Sequence, residues 1–135
     1  GYLDATYDEY TIDIPPTDFS GNRLNYAPEY TGHLGTEYTM TLDEAFLTAR
    51  LDWSYRSDTF FDRSNNELDT QEAYSLINAR LRYDAELYYI DLWARNLGDE
   101  SYVTGQLINP PFACNCRTVN VGAPRTFGVT LGARF

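Results

Sequence analysis

The sequence lacks any apolar run approaching the ~20 residues that a membrane-spanning helix needs, so a membrane location would require β-strands. It also contains no Lys, and its 10 basic side chains, all Arg, face 20 acidic ones, for a formal net charge of −10. This balance excludes nucleic-acid binding through a basic patch. The chain begins at Gly1 rather than Met, and we expect it to be a processed chain or part of a longer one.

Catalytic patterns are also missing. No nucleophile elbow, phosphate loop or zinc-protease motif occurs, so we expect no enzyme activity, no cofactor and no metal site. Residues 62–67 faintly resemble a calcium loop but lack its Gly, and we interpret them as a solvated acidic loop. The only His, His33, has no visible partner for catalysis or metal binding.

The last nine residues, FGVTLGARF, show the clearest pattern in the chain. Every second position is apolar, and the positions between them are small or polar. A period of two places the two sets on opposite faces of an extended strand. An apolar face that ends on an aromatic residue is typical of the closing strand of an outer-membrane barrel, with lipid on one side and a wet lumen on the other.

Five further segments show strand character, and helix is the weaker interpretation because apolar residues at i, i+2 and i+4 spread around a helix. The predicted strands are residues 2–11, 30–41, 46–56, 74–84, 87–97 and 127–135. The sequence therefore predicts an all-β fold: an antiparallel transmembrane β-barrel segment of about six strands.

Connection lengths alternate between short and long. Residues 42–45 and 85–86 make short turns, whereas the other three connections run about 15 to 28 residues. The polar segments 8–29, 57–72 and 97–123 hold 12 acidic and 3 basic residues, so the loops carry most of the charge. Short periplasmic turns and long extracellular loops are the rule in bacterial barrels. We therefore expect the chain to end on the periplasmic rim, with its acidic loops outside.

Charges of both signs share the polar faces of the predicted strands. Mixed charge would be costly in a dry core but is normal on a face turned toward water or a polar plug. We expect these side chains to face the lumen: Glu37, Arg50, Asp52, Arg80, Arg82, Asp91, Arg95 and Arg134. A soluble antiparallel sheet with one solvated face remains an alternative, because alternation alone does not distinguish the two.

Four aromatic side chains fall on the apolar faces. Trp53, Tyr55, Tyr83 and Tyr88 are predicted to anchor the barrel at the membrane interfaces or to contact lipid. In a soluble fold they would instead form the core.

Three motifs give the chain a family resemblance. They are GNRLNYAPEY at 21–30, RNLGDESY at 95–102 and GAPRTFGVTLGARF at 122–135. In this order and spacing they resemble the carboxyl-terminal part of the TonB-dependent receptors of Gram-negative outer membranes. The resemblance covers essentially the whole chain.

The resemblance implies a 22-stranded barrel with an amino-terminal plug, of which residues 1–135 would be the carboxyl-terminal part. It implies energy-coupled uptake of a scarce solute such as a siderophore, vitamin or carbohydrate. Expected partners are outer-membrane lipid, the rest of the barrel and the plug, the TonB complex through the plug, and the barrel-assembly machinery. That machinery would read the terminal apolar set: Phe127, Val129, Leu131, Ala133 and Phe135.

Six strands are too few to close a barrel, since eight is the usual lower limit. Open edges are not tolerated in lipid, so either a larger polypeptide or further chains must complete the sheet. The alternative function is a structural or assembly β-protein whose chains combine into a multichain barrel or filament.

Cys114 and Cys116 lie in the last long loop. Cysteines one residue apart seldom bridge each other, because the geometry is poor. In an oxidising compartment we expect a disulfide to a Cys elsewhere, with a strained local bridge as the second possibility.

Overall fold

The computed structural model describes residues 1–108 and 116–134, and within them the chain is all-β. One three-residue 3₁₀ helix, Glu67–Asp69, interrupts the strands. No helix in the described ranges is long and apolar enough to cross a membrane. The described ranges contain eleven strands: β1 Thr11–Asp13, β2 Pro16–Asp18, β3 Thr31–Leu42, β4 Ala45–Arg56, β5 Thr59–Phe60, β6 Thr70–Gln71, β7 Tyr74–Asp84, β8 Tyr88–Arg95, β9 Val103–Ile108, β10 Arg117–Val121 and β11 Thr126–Ala133.

Five of the six predicted strands form one sheet, with the hydrogen-bonded order β11-β8-β7-β4-β3. The boundaries of β7 agree with the sequence prediction, and those of the other four differ by one or two residues. Consecutive strands lie side by side, and β3 to β4 and β7 to β8 are joined by the two short turns. The antiparallel all-β class predicted from the alternation is confirmed.

The register of β7, β8 and β11 sorts their side chains onto two faces. Leu92 of β8 lies opposite Leu81 of β7 and Val129 of β11. Two residues along β8, Ile90 lies opposite Tyr83 and Leu131. Between these two positions, Asp91 lies opposite Arg82 and Thr130. Because antiparallel partners point to the same side, the alternation within each strand becomes an apolar face and a polar face of the sheet.

The predicted first strand, residues 2–11, is wrong as a continuous strand. The segment runs beside residues 22–31, but the register slips by three residues between its two β-bridges. Tyr26, on the facing segment, has a positive φ of 59°, which breaks the extended geometry that a ladder requires. The bridges that remain are Tyr2 to Tyr30 and Thr6 to Arg23.

Each long connection contains a small hairpin that the sequence did not reveal. β1 pairs with β2, β5 with β6, and β9 with β10, all antiparallel. Strands of two or three residues are too short to show a period of two, which explains why the first two were missed.

The chain divides into two compact units. A sheet unit comprises His33–Tyr55, Ser75–Glu100 and Ala123–Phe135, and a loop unit comprises Gly1–Gly32, Arg56–Tyr74 and Ser101–Gly122. Among the described residues, the buried apolar side chains are only Phe19, Ala45 and Phe61. The apolar face of the sheet is therefore not covered by the rest of the described chain. In a soluble sandwich such a face would be core.

Candidate functional site

The polar face of the sheet carries charges that are neutralised in clusters. In the first cluster, Arg50 donates from Nε and Nη2 to the two carboxylate oxygens of Asp52, each at 2.8 Å. Arg50 Nη1 lies 3.5 Å from Glu37 Oε2, and His33 Nε2 lies 3.9 Å from Asp52 Oδ1. Arg50 is thus held between two carboxylates, one of them on the neighbouring strand β3.

The second cluster is the pair Arg80 and Asp91, which joins β7 to β8. Arg80 Nε donates to Asp91 Oδ1 at 2.7 Å and to Oδ2 at 2.9 Å, and Nη2 also contacts Oδ2. Asp91 is only 4% exposed. A buried carboxylate is tolerated when an Arg satisfies it in this bidentate way.

The third cluster centres on Asp84, a residue that the sequence prediction missed. Its carboxylate lies 2.9 Å from Arg82 Nη2 and 2.8 Å from Arg134 Nη1, so it joins β7 to the residue that follows β11. Asp84 follows Arg82 by two positions and therefore shares its face. This spacing of two residues was the feature of the sequence from which the position of Asp84 on the polar face could have been predicted.

Arg95 differs from the other predicted lumen-facing cations. No described carboxylate lies within ion-pair distance of it, and its guanidinium instead stands over the Trp93 ring, 5.5 Å from the centroid. Arg82 stacks in the same way on Tyr89, at 4.2 Å. Such cation–π contacts are favourable where the ring is partly desolvated. Together the clusters make a wall that is charged but nearly neutral, which suits contact with water or with a polar plug.

The predicted assembly residues lie on the apolar face of β11. Phe127, Val129, Leu131 and Ala133 face Ala94, Leu92, Ile90 and Tyr88 of β8. The first three are 79%, 62% and 72% exposed, whereas Phe135 lies outside the described residues. The structure thus presents a continuous apolar strip, and its role as an assembly signal stays a prediction.

The four predicted interface aromatics form two pairs at opposite ends of the same face. Trp53 and Tyr55 stack with their centroids 6.2 Å apart, near the long-loop end of β4. Tyr83 and Tyr88 lie 6.0 Å apart beside the short turn between β7 and β8. Aromatic pairs at both ends of an apolar band are typical of strands that cross a membrane.

Asn96 holds together two of the sequence motifs noted above. It is 5% exposed and has a positive φ of 51°, and its Nδ2 donates to the carbonyl oxygens of Glu100 at 2.9 Å and Ala123 at 3.1 Å. Asp99 accepts a hydrogen bond from the backbone N–H of Arg125 at 3.1 Å. The motif after β8 is therefore hydrogen-bonded to the segment that leads into β11.

Within the loop unit, the first two long loops are tied by arginines. Arg23 Nη1 lies 2.7 Å from Asp58 Oδ2, and the guanidinium stands over Phe60. Arg63 donates to the Tyr10 hydroxyl at 2.6 Å and stands over the ring of Phe19, 5.2 Å from its centroid.

The second and third loops meet at a buried carboxylate, Asp69, which is 2% exposed. It accepts a hydrogen bond from Gln106 Nε2 at 2.5 Å and lies 3.2 Å from Arg117 Nε. Three basic residues of this unit are thus engaged within it. Over residues 1–108 and 116–134, no group of three or more His, Cys, Asp or Glu side chains is arranged to hold a metal ion.

Cys116 is disulfide-bonded. Cys114, the other half of the predicted cysteine site, lies outside the described residues.

The sequence matches a known protein family over most of its length. A family described as TonB dependent receptor-like, beta-barrel matches residues 1–97. The chain belongs to the TonB-dependent receptors. Receptors of this family are outer-membrane proteins that transport solutes, in agreement with the resemblance found in the sequence and with the two-faced sheet.

Two solved receptor structures share the fold. The ferric yersiniabactin uptake receptor FyuA from Yersinia pestis is 23% identical, with a TM-score of 0.74 over 84% of this chain. BauA, the ferric preacinetobactin receptor from Acinetobacter baumannii, is 19% identical, with a TM-score of 0.64 over 84% of this chain. The chain spans only 17% and 16% of the lengths of these receptors.

Proposed function

We propose that residues 1–135 form the carboxyl-terminal part of the barrel of an outer-membrane TonB-dependent transporter. The earlier strands and the plug would belong to the same protein or to another chain. The polar face of the sheet would line the lumen, the apolar face would contact lipid, and the three long loops would lie outside the cell. In this arrangement the plug couples the barrel to the TonB complex.

The observation that carries this proposal is the register of the sheet. On one face of the sheet, Leu92 and Ile90 of β8 lie opposite only apolar or aromatic residues of β7 and β11. On the other face, Asp91 lies between Arg82 and Thr130. The 12 residues of β4 extend about 40 Å, or about 30 Å along the membrane normal at a tilt near 40°, which is enough to cross a bilayer.

For the transported solute we propose a scarce iron chelate of the siderophore class, with a vitamin or carbohydrate as the next candidates. Support comes from the two structural neighbours, which are receptors for ferric yersiniabactin and ferric preacinetobactin. The three loops, joined to one another by the Arg23, Arg63 and Asp69 contacts, would supply part of the outer binding surface. The barrel-assembly machinery would recognise the apolar strip of β11.

A deletion strain would test this function. The strain would be complemented with the full-length receptor, and uptake of radioactive iron would be measured with a panel of ferric siderophores under iron limitation. We expect uptake of at least one chelate to require both the receptor and TonB. A receptor that fractionates to the outer membrane but never supports TonB-dependent uptake of any panel solute, including vitamins and carbohydrates, would contradict the proposal. A native assembly built of 15.5 kDa chains would favour the structural alternative instead.

A further inference from the structure

A groove lies on the apolar face of the sheet, between its two short turns. It is lined by Leu42, at the end of β3, by Leu87, in the second turn, and by Tyr83 and Tyr88. Leu42, Leu87 and Tyr88 are 41%, 67% and 48% exposed. The groove therefore continues the lipid-facing surface to the end of the strands.

The rim of this groove is acidic. Asp43 and Glu44 belong to the first turn and Glu86 to the second, and all three line the groove. Among the described residues, none of the three forms an ion pair. A nearby cation, Arg134, is already neutralised by Asp84 at 2.8 Å, and its Nη1 also donates to the Ala85 carbonyl at 3.0 Å. The groove thus combines an apolar lining with three uncompensated negative charges.

We propose that this groove binds a phospholipid whose headgroup carries a primary ammonium, as in phosphatidylethanolamine. The ammonium would donate hydrogen bonds to the rim carboxylates and contact the faces of the tyrosine rings. One tyrosine hydroxyl would donate to the phosphate, and an acyl chain would lie along Leu42 and Leu87. The inference rests on the proposed membrane orientation, in which the short turns meet the inner leaflet.

Charge complementarity and hydrogen bonding distinguish an ethanolamine headgroup from those of other membrane lipids. An anionic headgroup such as phosphatidylglycerol brings no cation, so the rim carboxylates repel it. A choline headgroup has the same charge as ethanolamine but no N–H donors, so it keeps the contact with the rings and loses the hydrogen bonds. The groove should accordingly rank ethanolamine first, choline second and glycerol last.

Lipid retention by the full-length receptor would test the proposal. The receptor would be reconstituted with equal fractions of the three lipids, and the lipids that remain bound would be counted by native mass spectrometry. We expect phosphatidylethanolamine to exceed phosphatidylglycerol about fivefold, the effect of about one additional hydrogen bond. The variant D43N/E44Q/E86Q should lose this preference.

The matched control is D8N/E9Q/D13N, which removes the same charge from exposed residues of the first long loop. We expect this variant to retain the preference. Equal retention of the three lipids by the unaltered receptor, or an equal loss in both variants, would overturn the lipid site. Outer-membrane fractionation and iron uptake of the same receptor report separately on the proposed function, so the two failures are distinguishable.

Discussion

The side-chain amide of Asn96 donates a hydrogen bond to the carbonyl oxygen of Ala123, 27 residues later. The same side chain exchanges two hydrogen bonds with the backbone of Glu100, and its own N–H donates to Asn78 Oδ1 at 3.0 Å. One buried residue thus sets the exit of the chain from β8 and its return into β11. Asn suits this position because it tolerates a positive φ better than most residues.

Replacing Asn96 should therefore destabilise the barrel wall. We expect Asn96→Ala to cost about 2–4 kcal/mol, because it strains the backbone and leaves buried backbone groups without partners. Asn96→Gly loses the same hydrogen bonds but accepts the positive φ, so it should cost about 1 kcal/mol less than the Ala variant. The temperature at which each variant loses its heat-modifiable gel migration would measure the two costs. Equal behaviour of the Ala variant and the unaltered receptor would contradict the role given to Asn96.

A second prediction concerns Gly132, whose backbone lies beneath the ring of Tyr89. A Cβ at this position would overlap the ring. We expect Gly132→Ala to destabilise the pairing of β8 with β11 by about 1–3 kcal/mol, since overpacking forces the ring or the strand to move. Adding Tyr89→Ala should cancel part of that cost, because the overlap then disappears.

The matched control for Gly132 is Gly98→Ala. A Cβ at Gly98 would meet no atom within 4 Å, so we expect a change near zero. Equal unfolding temperatures for the two Ala variants would show that the ring does not press on β11.

A third prediction tests the junction between the second and third loops. Asp69→Asn keeps the shape of the side chain but removes the charge that faces Arg117. We expect amide hydrogen exchange in Val103–Ile108 and Arg117–Val121 to become roughly tenfold faster, as the loss of a buried charged contact implies. Glu67→Gln changes an exposed neighbour and should leave exchange unaltered. Acceleration confined to the second loop would contradict the junction.

A fourth prediction concerns the pH response of the second loop. Burial alone would raise the pKa of Asp62, but hydrogen bonds from the backbone N–H and hydroxyl of Ser64 outweigh it and hold the pKa below its ordinary value. A carboxyl with a lowered pKa stabilises the folded loop above its ordinary pKa, near pH 4, and loses that contribution as the pH falls through the lowered value.

Exchange of the Ser64 amide, corrected for its intrinsic pH dependence, would measure this response. We expect protection to decline below about pH 4 in the unaltered receptor. In Asp62→Asn the protection should be lower at neutral pH and no longer follow the pH in this range. An identical pH response in both proteins would exclude Asp62 as its source.

The alternation along residues 46–56 and 127–135 predicted the sheet well, because a strand with one lipid-facing side must repeat every second residue. It also predicted which charges share a face. Which of those charges meet was not predictable, since Arg80 and Asp91 come together only through the register of β7 with β8. Predicting the Asp84 cluster would also have required the position of Arg134, which lies 50 residues further along the chain.

The contacts within the loop unit were not predictable from the sequence, for a different physical reason. Asp69 and Arg117 are 48 residues apart, and neither belongs to a periodic segment. The prediction of a strand over residues 2–11 is wrong because its alternation favours a strand, whereas the positive φ of Tyr26 on the facing segment prevents a regular ladder. Local pattern therefore predicts the wall of the barrel better than it predicts the loops.

A nitroxide scan along β4 in the reconstituted full-length receptor tests the central claim most directly. Single labels at positions 47 to 54 would be compared for collision with oxygen, which concentrates in lipid, and with a water-soluble paramagnetic complex. We predict oxygen maxima at 47, 49, 51 and 53 and aqueous maxima at 48, 50, 52 and 54. Uniform aqueous access at all eight positions, or maxima in the opposite phase, would contradict a strand with one face toward lipid and the other toward the lumen.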